Sequence, residues 1–100
     1  MARGFIVIQI LEVSDAERYA QYRREVLGLA AAAGGRFVVG RESRRQTLEG
    51  GWDPPVLIIV EFPSYEAARG WYFSDAYQKG LQHRLAADAE LVGQLLLGDA

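Results

Sequence analysis

Val56-Leu-Ile-Ile-Val60-Glu-Phe-Pro63-Ser64-Tyr-Glu66-Ala-Ala-Arg-Gly-Trp71-Tyr72-Phe-Ser74-Asp-Ala-Tyr77 holds the transition on which the fold turns. Val56 to Val60 is an unbroken apolar, largely β-branched run, the pattern of a strand covered on both faces. Pro63 ends it, because proline has no N–H to give to a sheet ladder. Ser64 then supplies a helix cap, and Glu66 puts a negative charge in the first turn, where the helix dipole favours it. Ala67, Ala68, Trp71 and Tyr72 recur at helical spacing. Ser74 reads as a second cap, opening a further helix that includes Tyr77.

Outward from that stretch, the totals describe an ordinary globular chain. The 100 residues predict one domain spanning 1–100, half apolar and about a quarter charged. A formal net charge of −2 argues against a nucleic-acid partner, since such domains carry a basic excess. With no cysteine, thiolate chemistry and disulfides are excluded. The opening Met-Ala-Arg-Gly runs directly into a strand-like segment, without the features of a signal peptide. No apolar run approaches the roughly 18 residues of a membrane span. The expectation is a cytoplasmic protein with no membrane partner.

Upstream, Phe5 to Val13 forms the first strand, with Phe5, Val7, Gln9 and Leu11 on one face and Ile6, Ile8 and Ile10 on the other. Ser14 and Glu17 fit a capping box, opening a helix that runs to about Ala33. Its buried stripe is Tyr19, Tyr22, Val26, Leu29, Ala30 and Ala33. Gly34-Gly35 ends it through a left-handed cap. Arg36 to Arg41 and Ser43 to Leu48 read as two short strands or one bent strand, and Glu49 to Pro55 as a loop holding Trp52. Gln78 to Ala87 continues as helix, or as helix with a kink near Gly80, and Ala89 to Leu97 is the last strand.

This order is the α+β, ferredoxin-like split βαβ pattern with a four-stranded antiparallel sheet. Helices on one side leave the second sheet face bare, yet the first, third and last strands are apolar on both faces. A patch of that size calls for cover, and a second copy of the chain packed sheet to sheet supplies it. The expected assembly is a homodimer.

Several segments carry a resemblance. Gly34-Gly35-Arg36-Phe37, Glu49-Gly-Gly-Trp52-Asp53-Pro54, Glu61-Phe62-Pro63-Ser64 and Trp71-Tyr72-Phe-Ser74-Asp-Ala-Tyr77-Gln78 resemble the signature segments of domain-of-unknown-function family 1330, in the dimeric α/β-barrel superfamily. The likeness runs over nearly the whole chain, and Gly51 stands as an inserted residue in the Trp52 loop. It implies a ferredoxin-like protomer and a dimeric α/β barrel, and no established reaction.

Candidate site residues each admit two readings. Trp71, Tyr72 and Tyr77 line a pocket between helix and sheet, or pack the core. Tyr22 belongs to the same alternatives. His83 is the single side chain with an ordinary pKa near neutrality, hence the default acid or base, or else a surface residue. Arg84 holds a carboxylate or enolate oxygen through its planar fork, or pairs with Asp88 or Glu90. Glu61, at a strand end, is a base raised by desolvation or the partner of an arginine. Trp52 is a large aromatic in a loop, which needs something to pack on. Four arginines between positions 36 and 45 bind an anion or form a solvated hairpin balanced by glutamates. One histidine and no cysteine give no metal-ligand pattern, and no phosphate loop is present, so no metal or cofactor is expected.

Two function classes follow. One is a small-molecule-binding protein acting as a cofactor-independent enzyme of isomerase, lyase or oxygenase type, with His83, Arg84 and Glu61 catalytic and Trp71, Tyr72, Tyr77, Tyr22 and Trp52 holding a small organic, aromatic substrate. That reaction type is what the superfamily resemblance implies. A haem-degrading variant rests on Gln9, Trp71 and His83 in that order. The other class is a dimeric ligand-binding or stress-related accessory protein without turnover.

Overall fold

The structure, a computed structural model, describes residues 2–86 and 89–98. Its elements are β1 (Gly4–Val13), α1 (Ala16–Ala32), β2 (Arg36–Val39), β3 (Val56–Phe62), α2 (Tyr65–Tyr72), α3 (Asp75–Ala86) and β4 (Ala89–Leu97). The strands form one antiparallel sheet in the order β2-β3-β1-β4. This is the ferredoxin-like arrangement that the alternation of apolar runs and caps predicts. The predicted continuation of α3 to Ala87 falls outside the described residues.

Register assigns the faces. Ile6, Ile8 and Ile10 of β1 lie opposite Val60, Ile58 and Val56 of β3, and opposite Leu95, Gly93 and Leu91 of β4. Directly opposed residues share a face, and this one carries the helices. Ile6, Ile10, Val60 and Phe62 are buried there with Tyr22, Val26, Ala30, Trp71 and Tyr77 from the helices. The opposite face carries Phe5, Val7, Leu57 and Ile59, half-buried, and the exposed Val92 and Leu96. The backbone spans 39 × 38 × 18 Å, the thin dimension fitting one helix layer on one sheet. No helix among the described residues is long and apolar enough to cross a membrane.

Two local readings are corrected. Helix α1 is capped by Asp15, not Ser14: Asp15 is extended and its carboxylate accepts from the Arg18 N–H at 3.0 Å. A cap oxygen must sit at the last non-helical residue, and the helix starts at Ala16. The segment 43–48 forms no strand. After Val39 the chain turns, with the Gly40 N–H donating to Ser43 Oγ at 2.8 Å, and residues 41–53 stay exposed. A register shift between Phe37 and Val39 interrupts this edge strand, whose pairing with β3 stops at Val39 opposite Ile59.

The other punctuation matches the expectation. Ser64 Oγ accepts from Ala67 N–H at 3.0 Å, and Gly34 takes φ +83° after α1. Ser74 Oγ donates to the Trp71 carbonyl at 2.7 Å and accepts from Tyr77 N–H at 3.2 Å, joining the end of α2 to the start of α3. Gly80 sits inside α3 for another reason than a kink: a Cβ there would lie 2.9 Å from Val26 Cγ1, so glycine allows α1 and α3 to approach closely.

Candidate functional site

Tyr77 is the centre of the helix–sheet core. It is fully buried, and its ring centroid lies 4.6 Å from that of Trp71, 4.8 Å from Tyr72 and 6.2 Å from Tyr22. The Ser74 cap sets its place in the first turn of α3, and the amphipathic stripe of α1 brings Tyr22 to it. The two phenol oxygens are 2.7 Å apart. Arg84, two turns along α3, donates from Nη1 to the Tyr77 oxygen at 3.4 Å, and its Cζ lies 5.5 Å from the Tyr22 ring centroid. Burial pushes the Tyr77 phenol well above its ordinary range, and the neighbouring Tyr22 adds to that, so at neutral pH Tyr77 is a hydrogen-bond donor and not a base. Burial works against the Arg84 charge, but the phenols of Tyr77, Tyr22 and Tyr72 outweigh it and raise the guanidinium further.

Two cavities flank this cluster. The first, of about 310 Å³, lies between α2, α3 and the β1–β4 side of the sheet, walled by Ile6, Ile8, Tyr72, Leu91 and Leu95 with Arg84 as its charged group. The second, of about 250 Å³, lies between α1 and the β2–β3 side, walled by Tyr19, Tyr22, Phe37, Ile58, Val60 and Trp71, with Arg23 and Arg41 at its edge. Ile8 borders both. Trp71 is buried, and its indole N–H has no acceptor among the described residues.

The sequence matches the family described as Domain of unknown function (DUF1330) over residues 3–93. The chain belongs to that family. No curated protein matches it. Among solved structures, the chain is similar to a protein of unknown function from Rhodopseudomonas palustris, at TM-score 0.66 and 21% identity over 91% of this chain and 80% of that one. A candidate antibiotic biosynthesis monooxygenase from Caulobacter crescentus gives TM-score 0.53 at 16% identity, over 95% and 87%. A dabb family protein with a ferredoxin-like fold from Mesorhizobium loti gives 0.56 at 12% identity, over 99% and 97%. At these identities the likeness establishes the fold and leaves the chemistry to the residues of this DUF1330 chain.

The structure brings Tyr22, Trp71, Tyr72, Tyr77 and Arg84 together and sets the other candidates elsewhere. His83 turns to α1, where its Nε2 lies 3.1 Å from Glu25 Oε1, and it borders neither helix-side cavity. Glu61 stands on the opposite sheet face, 3.4 Å from Arg36 and 3.7 Å from Arg3, the arginine pairing that was its other reading. Trp52 also lies on that side, its indole N–H donating to the Gln9 side-chain oxygen. Gln9, Trp71 and His83 therefore share no cavity. Arg84 makes no ion pair with Glu90, and a pairing with Asp88 falls outside the described residues. Among the described residues no three His, Cys, Asp or Glu side chains cluster.

Tyr19, Arg23 and Phe37 were not read as site residues in the sequence, and Arg41 was read only within the group of four arginines between positions 36 and 45. Tyr19 gave a signal, three residues before Tyr22 on the same helical stripe. The arginine group did not single out Arg41: its place 5.8 Å over the Tyr19 ring depends on how the chain leaves β2.

Proposed function

We propose that this protein binds a small organic ligand between its helices and its sheet, and that the Arg84 cavity is where an oxygen of that ligand is held. One observation carries the reading: a guanidinium faces a cavity whose other walls are mostly aliphatic and aromatic, within the size range of ligand sites. In such surroundings a planar cation with several N–H donors recognises a carboxylate or a developing enolate strongly. The reaction type this suits is cofactor-independent chemistry of the isomerase, lyase or oxygenase kind, with Arg84 stabilising charge on the substrate oxygen, Tyr72 and Phe73 forming an aromatic wall, and the buried Tyr77 holding Arg84 from behind. A second reading, binding without turnover, is favoured by His83 lying outside both cavities, against Glu25.

Native mass spectrometry of the untagged protein tests the site. The expected result is a discrete ligand mass that Arg84→Ala loses and His83→Ala keeps. Retention of that mass by a folded Arg84→Ala protein would remove Arg84 from the site. Turnover of the identified ligand then separates the enzyme from the binding protein.

The assembly we infer is a homodimer packed through the sheet face that carries Phe5, Val7, Ile59, Val92 and Leu96. An apolar sheet face of this kind is self-complementary under two-fold symmetry. The same native spectra read the mass of the assembly, and a monomer at micromolar concentration would end that inference.

A further inference from the structure

The hydrogen-bond count of the phenol pair bears on the second cavity. Two phenols own two O–H hydrogens, and the 2.7 Å contact between Tyr22 and Tyr77 uses one. Arg84 can only donate, and it donates to Tyr77. The pair thus holds one hydrogen more than the described residues have acceptors for. Geometry decides which oxygen carries it. Tyr77 is fully buried and borders neither cavity, whereas Tyr22 is a wall of the cavity between α1 and the β2–β3 side. With Tyr77 donating to Tyr22, the surplus hydrogen falls to Tyr22, the phenol of the two that borders a cavity. The chain Arg84 to Tyr77 to Tyr22 then runs in one direction, and each bond polarises the next, strengthening the terminal donor.

The surroundings of that donor select for negative charge. Arg23 and Arg41 border the cavity, no carboxylate among the described residues does, and Arg41, Arg84 and Arg23 all act on the neighbouring Tyr19 phenol. Phe37, Ile58, Val60 and Trp71 supply an apolar body, with two aromatic rings among them.

We propose that this second cavity is a carboxylate site, taking a small organic acid with its apolar or aromatic part against Phe37 and Trp71 and a carboxylate oxygen on the Tyr22 hydroxyl. Tyr77 and Arg84 are positioning residues for that donor. The site is separate from the Arg84 cavity: Ile8 is a wall common to both, and Arg84 lines the first and reaches the second through Tyr77, so each stands or falls on its own test.

The probes are benzoate, phenylacetate and cinnamate, each paired with its primary amide, titrated into the wild-type protein and followed by NMR. Each carboxylate is expected to bind at least about tenfold more tightly than its amide, the scale of one charge-assisted hydrogen bond. Nuclear Overhauser contacts are expected from the probe to the Phe37 and Trp71 rings. Tyr22→Phe is expected to weaken carboxylate binding about tenfold and to move amide binding less than about twofold. If that variant does not fold, Arg41→Gln at the exposed edge serves instead, with a severalfold loss for the carboxylates alone. Equal affinity for acid and amide, or no binding by any probe, overturns the proposal, with solvent then taking the Tyr22 hydrogen. Contacts to Tyr72 and Leu91 in place of Phe37 and Trp71 also overturn it, while supporting the Arg84 cavity as the ligand site.

Discussion

Gly80 on α3 and Val26 on α1 meet so closely that a Cβ at position 80 would stand 2.9 Å from Val26 Cγ1. Tyr22 and Tyr77 lie about one turn before these residues on the same two helices, so the approach that Gly80 permits bears directly on the phenol contact. In an exposed helix interior, replacing glycine by alanine gains about 1 kcal/mol. At Gly80 the added methyl must push Val26, which has no flexible end to move aside, and overpacking of this kind costs about 1–3 kcal/mol. Gly80→Ala is therefore expected to destabilise by about 1 kcal/mol net. Gly28→Ala, exposed on α1 with nothing within 4 Å of the new Cβ, is expected to stabilise by about 1 kcal/mol. Urea unfolding of both variants checks the opposite signs.

The phenol pair is expected to behave as a coupled unit. Tyr22→Phe and Tyr77→Phe each remove one hydroxyl and leave the other without its partner in the core, costing about 1 kcal/mol apiece. The double variant leaves neither hydroxyl behind. Its loss should fall short of the sum by about 1 kcal/mol in a double-mutant cycle. Additive losses would show that the 2.7 Å contact contributes nothing to stability.

Alkali should reveal the same burial. Burial raises the folded-state pKa of Tyr77, and burial likewise raises that of Tyr19, each above the ordinary phenol value near 10. A raised folded pKa means that the native state keeps its proton while the unfolded chain releases it. The stability these residues contribute is complete below about pH 10 and declines as pH rises beyond it. Tyr77→Phe should flatten part of that decline. Unfolding free energies of both proteins at pH 8 and pH 11 provide the comparison, and identical pH slopes would contradict the assignment.

Glu61 offers a test of which sheet face holds the site. Its partners Arg3 and Arg36 are more than half exposed, and ion pairs of that kind contribute about 0–1 kcal/mol. Glu61→Gln should lower stability by less than about 1 kcal/mol, an effect that shrinks further in high salt. Ligand binding on the helix side should be unchanged, because the sheet lies between. A large loss of binding in Glu61→Gln would place the site on the other face.

The fold was legible because its signals are local. The β-branched run Val56–Val60, Pro63 and the caps Ser64 and Ser74 act through backbone geometry within a few residues, and each stands where the sequence places it. Ser14 and Asp15 competed for one cap, and adjacent cap-forming residues are not separated by propensity alone. The strand expected at 43–48 failed because an edge segment pairs only if a neighbour is in register, and after the last pair, Val39 with Ile59, the chain turns at Gly40–Ser43 and stays exposed.

By itself the sequence determined the order of elements, the two apolar faces of the sheet and the residue types available for chemistry, since periodicity and capping are short-range. Only the tertiary structure decided which of those residues meet. It joined Tyr22 to Tyr77 across 55 positions, turned Arg84 toward the phenols and its neighbour His83 toward Glu25, and left Glu61 and Trp52 on the far side of the sheet. Adjacent positions on a helix point about 100° apart, and successive positions on a strand point to opposite faces. Which direction faces a cavity depends on the element packed against it.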